Sequence, residues 1–210
     1  MVLLRSPVAE RGCVVRGTAT DIGGYKKGDT NSSDFRQLIV RWFEFGFTSP
    51  LFRQHGKRVT EIWLFGDEAC ALITEIIALR YKFAPYILAE LAYTSQTGRP
   101  FNTPLWFDFG DDPQSWNESS SYMFGRDFLA APVVQANATE KQLYLPRLST
   151  AEASATGTAR AQWRHYFSGK LFGSGGHNVT VAAPLGSLPL FQRTDRPGLD
   201  AFTATRRMVD

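Results

Sequence analysis

Apolar and polar positions alternate in two different rhythms along the chain. In SDFRQLIVRWFEFG, Phe35, Leu38, Ile39, Trp42 and Phe43 fall at i, i+3, i+4, i+7 and i+8, one face of an amphipathic helix. Asp34, with Gln37 three positions on, reads as its N-cap and Gly46 as its end. FTSPLFRQHG follows as a short buried strand whose last residues, Arg53, His55 and Gly56, emerge polar. A second helix is predicted from Asp67, with Ile73, Ile76, Ile77, Ala84, Ile87, Leu88 and Leu91 on roughly one face and Gly98 as its stop. Pro85 predicts a kink in it, because proline removes one backbone hydrogen bond.

Beyond Pro100 the rhythm shortens. PLWFDF, DFLAAPVV, KQLYLP, QWRHYF, NVTVAAP and SLPLFQ are brief apolar runs divided by turn residues, the pattern of an antiparallel β-sandwich. Between them, residues 147–161 are small, polar and aperiodic and read as a surface insertion.

Composition narrows the classes. With 43% apolar and 13% aromatic residues, the 210-residue chain is too apolar for disorder, yet no run approaches the roughly 18 residues of a membrane span. The net charge of +3 is scattered and forms no nucleic-acid motif. Cys13 and Cys70, with His55, His165 and His177, show no metal-ligand spacing, so neither a metal nor a cofactor is expected. The N-terminal MVLLRSP has too short an apolar stretch for a signal peptide. Four of the five asparagines, Asn31, Asn117, Asn137 and Asn178, nevertheless stand in N-x-S/T sequons, which points to a glycosylated, exported parent.

Two short stretches carry candidate chemistry. DIGGY (21–25) and RQHG (53–56) both follow strand-like segments, and in a βα barrel functional side chains gather where strands end. Gly23 and Gly24 allow a sharp turn or a close backbone approach, Tyr25 offers an aromatic wall, and Asp21 and His55 bring polar groups. The same Asp-x-Gly-Gly sequence also serves as plain turn chemistry, and a histidine after a strand is often structural. His165 and His177 read as structural or exposed, Asp67 and Glu68 as a helix N-terminus, and Asp111-Asp112 as a solvated turn. RWFEFGF and LWFDF read mostly as core, and Trp63 in EIWLFG is the best candidate for an exposed sugar platform.

Taken in order, DIGGY, RWFEFGFTSPLFRQHG, EIWLFGDEA, LRYKFAPYI, TGRPFNTPLWFDFGDDP, YMFGRDFLAAPV, YLP and APLGSLPLFQR resemble the successive blocks of glycoside hydrolase family 31, the α-glucosidase and α-xylosidase family, over about residues 19–193. The resemblance implies an α/β plus all-β chain: the last part of a (β/α)8 TIM barrel in 1–99, with 1–17 atypical, then a truncated antiparallel β-sandwich in 100–210. It implies retaining hydrolysis of α-linked glucosides or xylosides by two carboxylates, both upstream of the DIGG block. Neither the family's Trp-x-Asp-Met-Asn-Glu nucleophile stretch nor its acid/base block occurs in these residues.

Carried over residue by residue, the resemblance makes His55 a contact for sugar hydroxyls, Tyr25 a ring wall where the family usually has Phe, and Asp21 a support for the pocket floor. EIWLFG leans toward the xylosidase-like branch. LLRSPVAERGCVVRG and TDRPGLD depart from the family's pattern, so both ends read as truncated or wrongly framed. The expected partner is a carbohydrate, with neither nucleic acid nor membrane, and no oligomeric state follows from the sequence. Two other readings stand beside the inactive glycosidase fragment: a non-catalytic carbohydrate-binding or interaction module, and the product of a decayed gene.

Overall fold

The computed structural model describes residues 19–26, 28–57, 59–148 and 161–196. The atypical segment 1–17 and most of the expected insertion 147–161 lie outside them. The described residues begin with strand β1 (Ala19–Asp21), helix α1 (Ser33–Phe47) and strand β2 (Leu51–Arg53). β1 and β2 pair in parallel, Asp21 opposite Arg53, and α1 is the crossover that a parallel pair requires. A 3-10 turn (Ile62–Phe65) leads into α2 (Asp67–Lys82) and α3 (Ala84–Thr97).

The remainder is mostly sheet. β3 (Asn102–Pro104), β4 (Tyr122–Phe124), β5 (Phe128–Ala130), β7 (Trp163–His165) and β9 (Leu190–Arg193) form an antiparallel sheet of order β3-β4-β5-β9-β7. β6 (Glu140–Leu145) pairs antiparallel with β8 (His177–Ala182). PLWFDF differs from the expected strand: only its first residue extends β3, and Leu105–Asp108 turn into the single-turn helix α4. Asp108 stabilises that turn by accepting from Arg99 and Thr103.

The central strands of the larger sheet, β4, β5 and β9, are buried at every position because both of its faces are covered. Met123, Leu129, Trp163 and Phe191 face the β6–β8 pair and pack with Leu143, Leu145 and Val181. Tyr122, Phe124, Phe128, Ala130 and Leu190, alternating with them, join a second core with Ile39, Phe43, Phe47, Ile73, Phe83 and Tyr86 from the helices. Alternation along a strand thus distributes side chains between two cores rather than between core and water.

Several local expectations change for physical reasons. α1 is capped by Ser32, whose hydroxyl accepts from the Phe35 N–H, while Asp34 takes a first-turn position that suits the helix dipole. Gly46 lies inside α1 rather than ending it. A Cβ there would stand 2.6 Å from Cδ1 of Ile22, so glycine is what lets β1 and α1 close together. The second half of α1 is buried all round, including Arg41 and Glu44.

Those two charges are satisfied in the protein interior. The Arg41 guanidinium donates to Glu44 and to the carbonyls of Ala138, Ala183 and Pro184, and Glu44 also accepts from the Gly186 N–H at 2.7 Å. Burial nevertheless raises the Glu44 carboxyl to about 7 against the opposing pull of Arg41. Arg80, lowered to about 10 by burial, donates to the carbonyls of Phe47, Ser49 and Pro50 and so holds the exit from α1.

The kink expected at Pro85 is a complete break. Phe83 separates α2 from α3, and Pro85 occupies the first turn of α3, where its missing N–H costs nothing. Beyond the break Tyr86, Ile87, Glu90 and Thr94 are buried, and Leu88, expected in the core, is 66% exposed. β2 likewise is less buried than its apolar run suggests. Leu51 is 56% exposed, because β1 is the only strand paired with β2 among the described residues. Asp112 is not a solvated turn residue. Its carboxylate accepts from the Tyr144 hydroxyl, the Arg147 N–H and the Gln114 N–H, tying the turn at Pro113 to β6.

Phe83 contacts Phe47, Tyr86, Phe124, Phe128 and Tyr166 with ring centroids 5.1–6.3 Å apart. Truncating it opens a cavity between helices and sheet. Phe83→Ala is expected to cost about 3–5 kcal/mol of unfolding free energy, measured by denaturant titration. His165 is buried, its Nδ1 shared with Ser168 and its Nε2 without a partner, and burial lowers its pKa from 6.5. The unfolded chain therefore takes up this proton first as pH falls. Stability contributed by neutral His165 is complete above 6.5 and declines as pH drops through that value. His165→Gln, which cannot take up the proton, is expected to lose less stability than the wild type between pH 7 and 5.5, and the difference between the two pH curves isolates the histidine.

Candidate functional site

The parallel strands end side by side, and the two stretches singled out in the sequence extend from those ends. The Ile22 N–H donates to the Arg53 carbonyl at 3.2 Å, continuing the pairing by one residue, and the Gly24 N–H closes a turn on the Asp21 carbonyl at 2.7 Å. Gly23 and Gly24 have φ of 85° and 79°, the left-handed region that disfavours a Cβ. Ile22 is wholly buried beneath this turn, and Trp42 of α1 packs against Gly24 and donates to the Thr20 hydroxyl. The core therefore holds the turn from below while its polar residues stay at the surface.

The second stretch folds onto the first. The Lys57 N–H donates to the Tyr25 carbonyl at 2.9 Å, and a Cβ on Gly56 would stand only 2.7 Å from that same oxygen. This close approach requires the glycine. It brings the Tyr25 and His55 rings to 5.6 Å, tilted by 47°, with both residues exposed. Asp21, at the base, accepts from Arg53 at 2.9 Å.

Asp21, Tyr25 and His55 thus occupy one end of one strand pair. Sequence reasoning missed one participant: Arg53, which takes up the Asp21 carboxylate. Cross-strand register was the available signal for Arg53, since it sits opposite Asp21 once β1 and β2 are aligned.

The group can receive hydroxyls on the imidazole and stack an apolar ring face on Tyr25. Its one carboxylate is already paired with Arg53.

The other candidates lie elsewhere. Trp63, on the 3-10 turn before α2, is 67% exposed. Asp67 and Glu68 occupy the first turn of α2, and beside them a cleft of about 460 Å3 opens between the α1 and α2 N-termini, lined by Arg36, Gln37, Phe65 and Leu185 among others. None of Asp21, Tyr25 and His55 lines it. His177 is exposed on β8 and His165 is buried on β7. Cys70 is a free thiol on α2, and Cys13 lies outside the described residues. No group of three or more His, Cys, Asp or Glu side chains suited to a metal occurs among the described residues. The sequon residues Asn31, Asn117, Asn137 and Asn178 are all exposed.

Comparison with known proteins agrees with this architecture. Residues 14–90 match the glycosyl hydrolases family 31 TIM-barrel domain, and residues 98–196 match the glycosyl hydrolase family 31 C-terminal domain. An α-xylosidase of Saccharolobus solfataricus is 32% identical over 176 residues, covering 83% of this chain and 22% of the relative. An α-glucosidase 2 of Bacillus thermoamyloliquefaciens is 30% identical over 174 residues, covering 81% of this chain and 20% of the relative. The crystal structure of a GH31 α-xylosidase from a soil metagenome, complexed with xylose, superposes with a TM-score of 0.78 at 29% identity, over 89% of this chain and 29% of that one. The chain therefore spans less than a third of the length of these relatives. Two consecutive domain models of one family and a matching fold across most of the chain lead to one conclusion: the chain belongs to glycoside hydrolase family 31.

Proposed function

We propose that this chain is the barrel end and adjoining β-sandwich of a retaining α-glycosidase acting on α-linked glucosides or xylosides, and that His55, Tyr25 and Asp21 belong to its sugar pocket. The observation that carries the reading is the meeting of DIGGY and RQHG at the ends of two parallel strands, with the Tyr25 and His55 rings 5.6 Å apart. In this reading His55 contacts sugar hydroxyls, Tyr25 supplies a flat wall, and Asp21 acts through Arg53 to hold the floor.

Retention needs a second carboxyl group about 5–5.5 Å from the first. Asp21 is committed to Arg53, and the family's nucleophile and acid/base stretches do not occur in the 210 residues. The chain by itself therefore binds a monosaccharide without hydrolysing glycosides. EIWLFG favours the xyloside, with Trp63 exposed beside the same helix start. The reading includes a longer, exported parent carrying N-glycans, and the exposure of all four sequon asparagines supports it.

The binding step is tested by thermal unfolding with glucose or xylose. At ten times the dissociation constant the stabilisation should be about 1.4 kcal/mol, and His55→Ala should abolish it. A shift that survives His55→Ala would remove the pocket from this site. The same preparation should release no p-nitrophenol from its α-glucoside or α-xyloside, and turnover that copurifies with the chain would overturn the inactive-fragment reading.

Gly56→Ala pushes the second loop off the Tyr25 carbonyl. It is expected to weaken sugar binding at least several-fold while moving the unfolding midpoint little, since both loops are exposed. Mass spectrometry of the native product before and after N-glycan removal is expected to show glycosylated peptides at the four sequons in a species several times 23.5 kDa.

A further inference from the structure

A second aromatic surface lies on the β-rich half. Trp106, on α4, and Trp116, on the 3-10 turn Pro113–Trp116, stack with ring centroids 5.2 Å apart and planes 16° from parallel. Trp116 is 60% exposed, so with one face on Trp106 its outer face is open to solvent. Its orientation is fixed, because the indole N–H donates to the Gly110 carbonyl at 3.0 Å. Both supporting turns are anchored from beneath: Leu105 and Ser115, each beside one of the tryptophans in the chain, are wholly buried, and Asp112 caps the 3-10 turn while holding Tyr144. An indole displayed on so rigid a mount loses little conformational freedom when a ligand stacks on it.

The chemistry and size of the patch indicate its occupant. The apolar side chains that reach solvent here are Phe107, Pro113, Trp116 and the half-buried Trp106, while the neighbouring Asp111 and Gln114 are exposed and polar. Each of the three aromatic side chains is already partly buried, so it can still bury only a fraction of the about 150–250 Å2 of an aromatic residue, and together they fall well short of the roughly 800 Å2 per partner of a stable protein interface. A hexopyranose ring has the matching form: one flat face of C–H groups for the indole and equatorial hydroxyls for a polar rim.

We propose that Trp116, backed by Trp106, is a carbohydrate-binding platform that docks an α-glucan chain at a place separate from the His55 pocket. The choice of an α-linked glucan rests on the proposed substrate class; the platform itself does not. Such a site holds polymer near the protein without taking part in bond cleavage.

The test is native electrophoresis of the 210-residue chain in gels containing soluble dextran or amylopectin. Wild type should be retarded. Trp116→Ala should lose roughly tenfold in affinity with an unchanged melting temperature. Trp106→Ala, which leaves the Trp116 ring in place but unbacked, should weaken retardation less, and it serves as the second variant if Trp116→Ala does not fold. Absence of retardation in wild type, or retention of it in Trp116→Ala, would overturn the platform. Monosaccharide stabilisation that depends on His55 without glucan retardation removes the platform alone. Retardation that depends on Trp116 without monosaccharide stabilisation removes the pocket reading alone.

Discussion

The packing of the molecule depends on one aromatic side chain at a helix break. Phe83 ends α2, begins α3 and inserts a ring that is 1% exposed among Phe47, Tyr86, Phe124, Phe128 and Tyr166. These partners come from the crossover helix, from α3, and from the strands and turns of the larger sheet. Aromatic pairs favour tilted and edge-on contacts, and every one of these five lies between 31° and 90°. A cluster of this kind tolerates little sliding, so the sheet and the helices share one arrangement.

Polar groups reinforce that joint where burial would otherwise be costly. Tyr86, whose hydroxyl pKa is raised by burial, donates to the Phe124 carbonyl and receives the Asp127 N–H. A Cβ on Gly125 would meet that hydroxyl at 2.2 Å, so the β4–β5 turn can approach α3 only through glycine. Glu90, one turn further along α3, takes the Arg126 guanidinium, which also lies 3.7 Å from the centre of the Tyr93 ring. Arg41, Glu44 and Arg80 do the same for α1. Unpaired, those charges would oppose burial by several kcal/mol; bonded to loop carbonyls and to Gly186, they bind the helix to specific loops.

The surface chemistry follows from this rigidity. The turn at Gly23 and Gly24 rests on Ile22 and Trp42, so Tyr25 and His55 are presented from a fixed base even though both are exposed. The tryptophan pair on the β-rich half repeats the principle with different elements: short turns, anchored inward by buried residues, hold aromatic faces outward.

How much of this was legible in the sequence varied with the range of the interaction concerned. Local periodicity placed α1, the α2–α3 segment, Gly98 as a C-cap and most of the strands, because helix and strand repeat are written in neighbouring residues. The ordered motifs identified the family, and DIGGY and RQHG named the surface where Asp21, Tyr25 and His55 meet. Periodicity could not show that Leu88 is exposed, since which of the apolar positions along α2 and α3 turn inward depends on how the two helices pack on one sheet. It placed Gly46 at a helix end, whereas Ile22, twenty-four positions earlier, is what demands a glycine there. It read Asp112 as solvated because its partners, Tyr144 and Arg147, lie more than thirty residues away. The sequence by itself determined element type, family and the candidate residues, since these rest on short-range pattern. Only the tertiary structure decided which charges are paired, which glycines are required and which aromatics reach solvent, because each depends on contacts between residues that chain order keeps apart.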